Sequence, residues 1–257
     1  MNADQKQAIA EVLKNSIRNK FNTHNPEPAY MPFHTRLLGK DRLALYSFIH
    51  SLNTNFGTTI FEPIAKTIAI GNFASASSQQ IAGTHISSEA QRAIQQIMDK
   101  LSTAEATPNK LEEIEAIRSC CTKGQMVKVK PTKVDLKLIS KDGAIVLIDI
   151  KTAKPNAGGF KEFKRTLLEW VAVTLAENPQ ANIQTLIAIP YNPYEPNPYS
   201  RWTMRGMLDL EHELKVATEF WDYLGGVGTY TALLDIFELV GIELRQEIDS
   251  YFARFVR

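Results

Sequence analysis

Residues 127–165, VKVKPTKVDLKLISKDGAIVLIDIKTAKPNAGGFKEFKR, constrain the fold more than any other part of the chain. Residues 133–138 alternate polar and apolar, with Val134, Leu136 and Leu138 on one face. That period of two marks a half-buried strand. Residues 144–150 are a nearly continuous apolar run rich in Ile and Val, which suits a strand buried on both faces. Between them lies Lys141-Asp142-Gly143, a hairpin turn signal. Asp135, Asp149 and Lys151 are the charged groups of interest on these strands.

Turn length decides whether these three groups meet. A two-residue Asp142-Gly143 loop pairs Lys141 with Ala144 and sets Asp135 opposite Ile150. The two aspartates then point to opposite faces. A three-residue loop with Gly143 left-handed pairs Ser140 with Ala144. Asp135 then faces Asp149 at roughly 5 Å between Cβ atoms, with Lys151 two residues on and on the same face. Two carboxylates that close on a buried sheet repel, and one pKa rises, unless a cation shares them. Mg²⁺ takes oxygens from one or two carboxylates together with substrate phosphate. A neighbouring lysine can orient or deprotonate a water and balance charge in a phosphoryl transition state.

Val134-Asp135, thirteen further residues and then Asp149-Ile150-Lys151 resemble the PD-(D/E)XK signature of Mg²⁺-dependent nucleases. Val134 stands where that signature has proline, a departure that removes no chemistry. The resemblance implies an α/β fold: a restriction-endonuclease-like core with a mixed central β-sheet flanked by helices, and helical additions at both termini. It implies that Asp135, Asp149 and the Ile150 carbonyl hold Mg²⁺, that Lys151 positions water, and that products carry 5′-phosphate ends. An Asp-x-Lys tripeptide alone is weak; the upstream aspartate, the tight turn and the following helix strengthen it. The competing reading is a surface hairpin with scattered charges. Against it, Asp149 follows five apolar residues, and unpaired charges are rarely buried.

Composition is that of an ordinary soluble protein: 257 residues, 44% hydrophobic, 22% charged, net charge +1. Charge distribution says more. Residues 123–165 carry eleven Lys/Arg against four Asp/Glu, a local +7 that leaves −6 on the other 214 residues. A polyanion is drawn to the region that holds the carboxylate pair. Cys120 and Cys121 are adjacent and suit a reducing cytoplasm, without zinc-ligand spacing. The N-terminus has no signal-peptide core, and no apolar run reaches membrane-spanning length. The expected location is cytoplasmic.

Along the chain, residues 3–21 read as an amphipathic helix and residues 21–39 as a loop holding His24 and His34. Asp41 is a candidate cap for a second helix, followed by a turn or helix break at Asn55-Phe56-Gly57. Glu62 lies among apolar residues; it is either an acid brought to the edge of the metal site, as in many endonucleases of the class, or a solvent-facing helix residue. Residues 71–83, rich in Ser, Ala and Gln, read as a polar loop. Ser88 with Gln91 suggests a capping box, and Asn109 starts a shorter helix. Residues 160–176 read as a helix and residues 182–189 as a strand parallel to 144–151. Lys154, Asn156, Lys161, Lys164 and Arg165 gather near that helix start as candidate phosphate contacts. The proline-rich segment 191–206 offers Asn192, Arg201 and Arg205 for reading bases, or else packs as a rigid loop. A last helix spans 229–255, its apolar stripe either core or a partner seam.

Residues 50–69 and Glu219-Phe220-Trp221 also resemble a type II restriction endonuclease family acting on GG-and-CC palindromes with a central spacer. On that reading residues 1–257 form a single endonuclease domain: a mainly helical part (1–121), a catalytic core (122–190) and a reading loop with C-terminal helices (191–257). The implied partners are double-stranded DNA, a second copy in a homodimer, and a cognate DNA methyltransferase in the same cell. The rival readings are a repair or recombination nuclease that reads DNA structure, and a non-catalytic DNA-binding module. A Mg²⁺ enzyme acting on nucleotides lacks the phosphate loop it would need.

Overall fold

The computed structural model describes residues 1–24, 31–151, 153–154, 159–200, 204 and 206–254. Its centre is a five-stranded mixed sheet in the order β1-β4-β5-β6-β7, made of β1 (Ser75–Ile81), β4 (Lys133–Ile139), β5 (Ile145–Ile150), β6 (Ile183–Ile189) and β7 (Leu214–Val216). β1 pairs antiparallel with β4 and β4 antiparallel with β5, whereas β6 and β7 continue parallel to β5. A separate two-stranded ribbon pairs β2 (His85–Ser87) with β3 (Met126–Lys128).

The central strand feeds two cores, as its uninterrupted apolar run requires. Leu147 faces one side, packing with α5 (Ser88–Ser102), α6 (Lys110–Arg118) and α7 (Phe160–Glu177) through Ile94, Ile117, Leu167 and Trp170. Val146, Ile148 and Ile150 face the other. There they meet α1 (Ala3–Thr23), α4 (Glu62–Ala69), α8 (Thr218–Gly225) and α9 (Thr229–Glu243), through Ile9, Ile64, Trp221 and Leu233. No single helix among the described residues is long and apolar enough to cross a membrane.

Several local expectations change. Within the anticipated loop 21–39, Pro32–Leu38 forms α2, with proline in the first turn where its missing N–H costs nothing. Asp41 does not cap α3 (Lys40–Phe56): Gly39 holds the cap position, and Asp41 lies in the first turn, where the helix dipole favours a negative charge. The break at Asn55-Phe56-Gly57 is a change of pitch. The chain runs from α3 through a π-helical turn, Gly57–Phe61, directly into α4. Residues 71–83 hold a strand, not a loop. β1 lies at the sheet edge, where one side of the backbone stays solvated and small polar side chains are tolerated, so its composition hides its pairing. The cap of α5 is Ser87, one residue early. Its buried hydroxyl accepts from the Ala90 amide at 2.9 Å and donates to the Cys120 carbonyl at 2.6 Å. The last helix divides at Leu244 into α9 and α10 (Arg245–Ala253). The bend lets Leu244 stay in the core while Tyr251 reaches Phe48, with ring centroids 5.1 Å apart. The apolar stripe of α9 is therefore core.

One correction involves charge. Lys164 is fully buried, with its ammonium 2.5 Å from Glu113 and 2.6 Å from Glu213. Lys110 completes the cluster, 2.8 Å from Glu213. These two lysines and two glutamates tie α6, α7 and the start of β7 together. Burial alone would raise the Glu213 pKa, but Lys110 and Lys164 outweigh it and hold the carboxylate below its ordinary 4.5. A depressed carboxylate stabilises the fold above its unfolded value, and that contribution is lost as pH falls through the folded value. Glu213→Gln should cost about 3–5 kcal/mol, because two buried ammoniums then share one carboxylate. Urea denaturation of the DNA-free protein checks this. The variant should also lose part of the wild type's decline in stability below pH 4.5.

Candidate active site

The hairpin takes the three-residue loop. The Ser140 amide donates to the Ala144 carbonyl at 2.9 Å, and the Gly143 amide to the Ser140 carbonyl at 3.0 Å. Gly143 sits at φ +88°, a left-handed conformation that costs glycine little. The ladder then pairs Leu138 with Val146 and Leu136 with Ile148. One step further, Asp135 stands opposite Asp149.

The ladder changes character at that step. Regular alternation would give the Ile150 amide to the carbonyl of Val134. It donates instead to Asp135 Oδ2 at 2.8 Å, so the carboxylate is fastened to the end of β5. Asp149 is buried, and its Oδ1 lies 2.8 Å from Lys151 Nζ. The same ammonium rests 4.7 Å from the centre of the Phe163 ring, a cation–π contact that fixes its direction. Burial first, and then the charge of Asp149, push the Asp135 pKa up to about 7 against the pull of the Ile150 amide.

Glu62 comes from the other side of the strand end. The π turn before it supplies an extra residue, and the first turn of α4 delivers the carboxylate inward, only 4% exposed. It is not solvent-facing. Burial raises its pKa, with Gln79 opposing and Asp149 adding to the rise. The Gln79 amide donates to Glu62 Oε2 at 2.7 Å and approaches Asp135 Oδ1 at 3.4 Å. Glu62, Asp135 and Lys151 line a cleft of about 1290 Å³, whose walls also include Ile150, Lys154, Phe61, Trp221 and Phe237. No set of three His, Cys, Asp or Glu side chains among the described residues is gathered closely enough to cage a metal ion. What the site offers is a facing pair of carboxylates with one lysine. This arrangement suits a hard cation that takes one or two carboxylates and fills its remaining positions with water or phosphate oxygen.

Residues 1–241 match the family described as "Type II restriction endonuclease, HinfI". The chain belongs to this family. It is 27% identical over 221 residues to the type II restriction enzyme HgiCII of Herpetosiphon aurantiacus, covering 84% of this chain and 80% of that protein. The restriction enzyme HgiBI of the same organism is also 27% identical, over 224 residues, with coverages of 84% and 79%. The type II restriction enzyme MjaII of Methanocaldococcus jannaschii is 28% identical over 206 residues, covering 76% of this chain and 54% of that protein. The protein is thus a site-specific DNA endonuclease.

In this HinfI-family endonuclease the anticipated DNA contacts scatter. Lys154 lines the cleft, its ammonium 5.5 Å from the Tyr194 ring centre. Lys161 is exposed in the first turn of α7. Lys164 is withdrawn into the buried cluster, where no phosphate reaches it. Arg165 donates to Gln95 Oε1 at 2.8 Å, tied to α5. Asn192 is committed to its own loop: its Oδ1 accepts from the Tyr194 amide at 2.9 Å and its Nδ2 donates to the Asn197 carbonyl at 2.8 Å. Asn156, Arg201 and Arg205 lie outside the described residues. Sequence reasoning passed over Gln79, because its segment read as a loop.

The register of the site rests on Gly143. Gly143→Val should cost about 1–2 kcal/mol from left-handed strain, and Gly143→Asn less. Thermal denaturation of the two variants beside the wild type measures the difference.

Proposed function

We propose that this endonuclease hydrolyses DNA phosphodiesters at the Asp135/Asp149/Lys151 cluster with Mg²⁺ as cofactor, leaving 5′-phosphate ends. The observation that carries the reading is the hairpin register, which brings two carboxylates from adjacent strands to one point, with one lysine beside them at the wall of the cleft. Asp135, Asp149 and the Ile150 carbonyl would hold the ion. When bound, it would neutralise charge on the scissile phosphate. Lys151, released from Asp149, orients the attacking water and offsets the charge that builds on the phosphate oxygens. Water adds to phosphorus, the bond to the 3′ oxygen breaks, and that oxygen leaves with a proton. Phe163 keeps the lysine aimed at the cleft, and Glu62 supplies an accessory carboxylate at its edge.

The recognition site we propose is a palindrome with GG and CC flanking a central spacer, on the resemblance of residues 50–69 and 219–221. A palindrome is cut in both strands by two copies related by the duplex two-fold, which favours a homodimer. The core stripe of α9 is occupied, but its outer side leaves Leu234, Leu239 and Ile242 exposed, and a second apolar surface for such pairing is the outer face of α2 and α3. There Phe33, Leu37 and Tyr46 are 84%, 83% and 62% exposed. A cognate DNA methyltransferase would protect the host's own sites.

Asp149→Asn and Lys151→Ala should each lower cleavage by at least about 10²–10³-fold, since each removes a charge from the reacting centre. Plasmid digestion in Mg²⁺ with sequencing of the ends tests both the chemistry and the site. Cleavage by either variant at the wild-type rate would end this assignment. Lys161→Ala should weaken binding to all DNA sequences alike and lower the slope of log affinity against log salt by about one. Titrations at several salt concentrations, on cognate and random duplexes, measure it.

A further inference from the structure

Gln79 combines three features that do not belong together in an ordinary edge strand. Its backbone is left-handed, φ +56°, one of only three non-glycine residues with positive φ among the described residues. Its side chain is exposed and fills no core space. Yet its amide nitrogen spans two carboxylates, at 2.7 Å from Glu62 and 3.4 Å from Asp135. Glutamine is not a residue the left-handed region favours; glycine or asparagine would sit there with less strain. Strain persisting beside a functional site points to what the side chain accomplishes.

We propose that Gln79 is the positioning residue that holds Glu62 against the Asp135 side of the site, so that the accessory carboxylate becomes part of the cation-binding set. The geometry explains why an amide serves here. Glu62 and Asp135 both lie within reach of the Gln79 amide, Asp149 neighbours Asp135, and Lys151 is engaged with Asp149 alone among them. A lysine or arginine at position 79 would pair with both remaining carboxylates and compete with any cation. A shorter asparagine would fall a methylene short of Glu62. The amide donates without adding charge, and so orients two carboxylate oxygens while leaving the others open. Its leverage comes from β1: the register places Ser78 opposite Leu136 and Gln80 opposite Val134, which sets Gln79 beside Asp135. The left-handed turn of the backbone at this one residue accompanies the reach toward Glu62.

The inference rests on the proposed Asp135/Asp149 site, and Asp149→Asn serves as its control. Gln79→Gly removes the amide and relieves the backbone, so its urea midpoint should equal or exceed that of the wild type. Calorimetric titration of the DNA-free protein with Ca²⁺, together with single-turnover cleavage across Mg²⁺ concentrations, reads the effect. Loss of an outer partner of a cation-binding group costs about 10–100-fold, so Ca²⁺ affinity, Mg²⁺ midpoint or cleavage rate should worsen by that factor. Gln79→Asn should behave like the glycine variant. In a Glu62→Gln background, Gln79→Gly should add nothing. Wild-type cleavage with unchanged Ca²⁺ affinity in Gln79→Gly would overturn the role. So would a loss that multiplies on Glu62→Gln, or one that merely follows a lowered urea midpoint. If Asp149→Asn is inactive while Gln79→Gly is normal, this inference alone fails; if Asp149→Asn cleaves normally, the site assignment itself fails.

Discussion

A single hydrogen bond from the Ser140 amide to the Ala144 carbonyl sets the count for everything that follows. It makes the loop three residues long, and because side chains alternate, it decides that Asp135 and Asp149 share a face. A slip of one residue would send the two carboxylates to opposite cores. The same register sends Leu136 and Leu138 toward Ile148 and Val146, so the packing of one core and the assembly of the site are one event. Gly143 makes that count possible by accepting a left-handed backbone at the corner.

The protein handles buried charge in two contrasting ways. Around Lys164 every charge meets an opposite one: two lysines and two glutamates sit within 2.5–2.8 Å contacts and join three elements. At the strand ends the carboxylates outnumber their cation, and burial, with the charge of Asp149 adding to it, holds the Asp135 pKa up at about 7. The first cluster is closed and structural. The second is left short of positive charge, which an incoming cation or basic group can supply. This difference in balance separates a fold-stabilising charge cluster from one poised for chemistry.

The sequence was most legible where burial dictates composition. β5 announced itself through an unbroken apolar run, and α7 and β6 through periodicity and a proline after Asn178. The hairpin left two registers open, and only the fold chose between them. Legibility failed where polar residues were used against type. β1 carries Ser and Gln because it is an edge strand, and this composition reads as loop. Lys164 sits at a spacing that suits a solvated helix face, but Glu113 and Glu213, 51 and 49 residues away, neutralise it. No local pattern reveals partners that distant. Glu62 looked like either a site acid or a surface residue, and the π turn that aims it inward leaves only a glycine and two threonines as its trace.

That π turn has a consequence for how such a site comes and goes over generations. A π turn amounts to one residue more than a continuous helix needs, and each residue turns a helix by about 100°. Losing a single codon between Gly57 and Phe61 would restore ordinary pitch and rotate Glu62 away from the strand end, with hardly any change in composition. The inward position of the Glu62 carboxylate is therefore an all-or-none inheritance, acquired or discarded by an in-frame insertion or deletion in a helix distant in sequence from the hairpin.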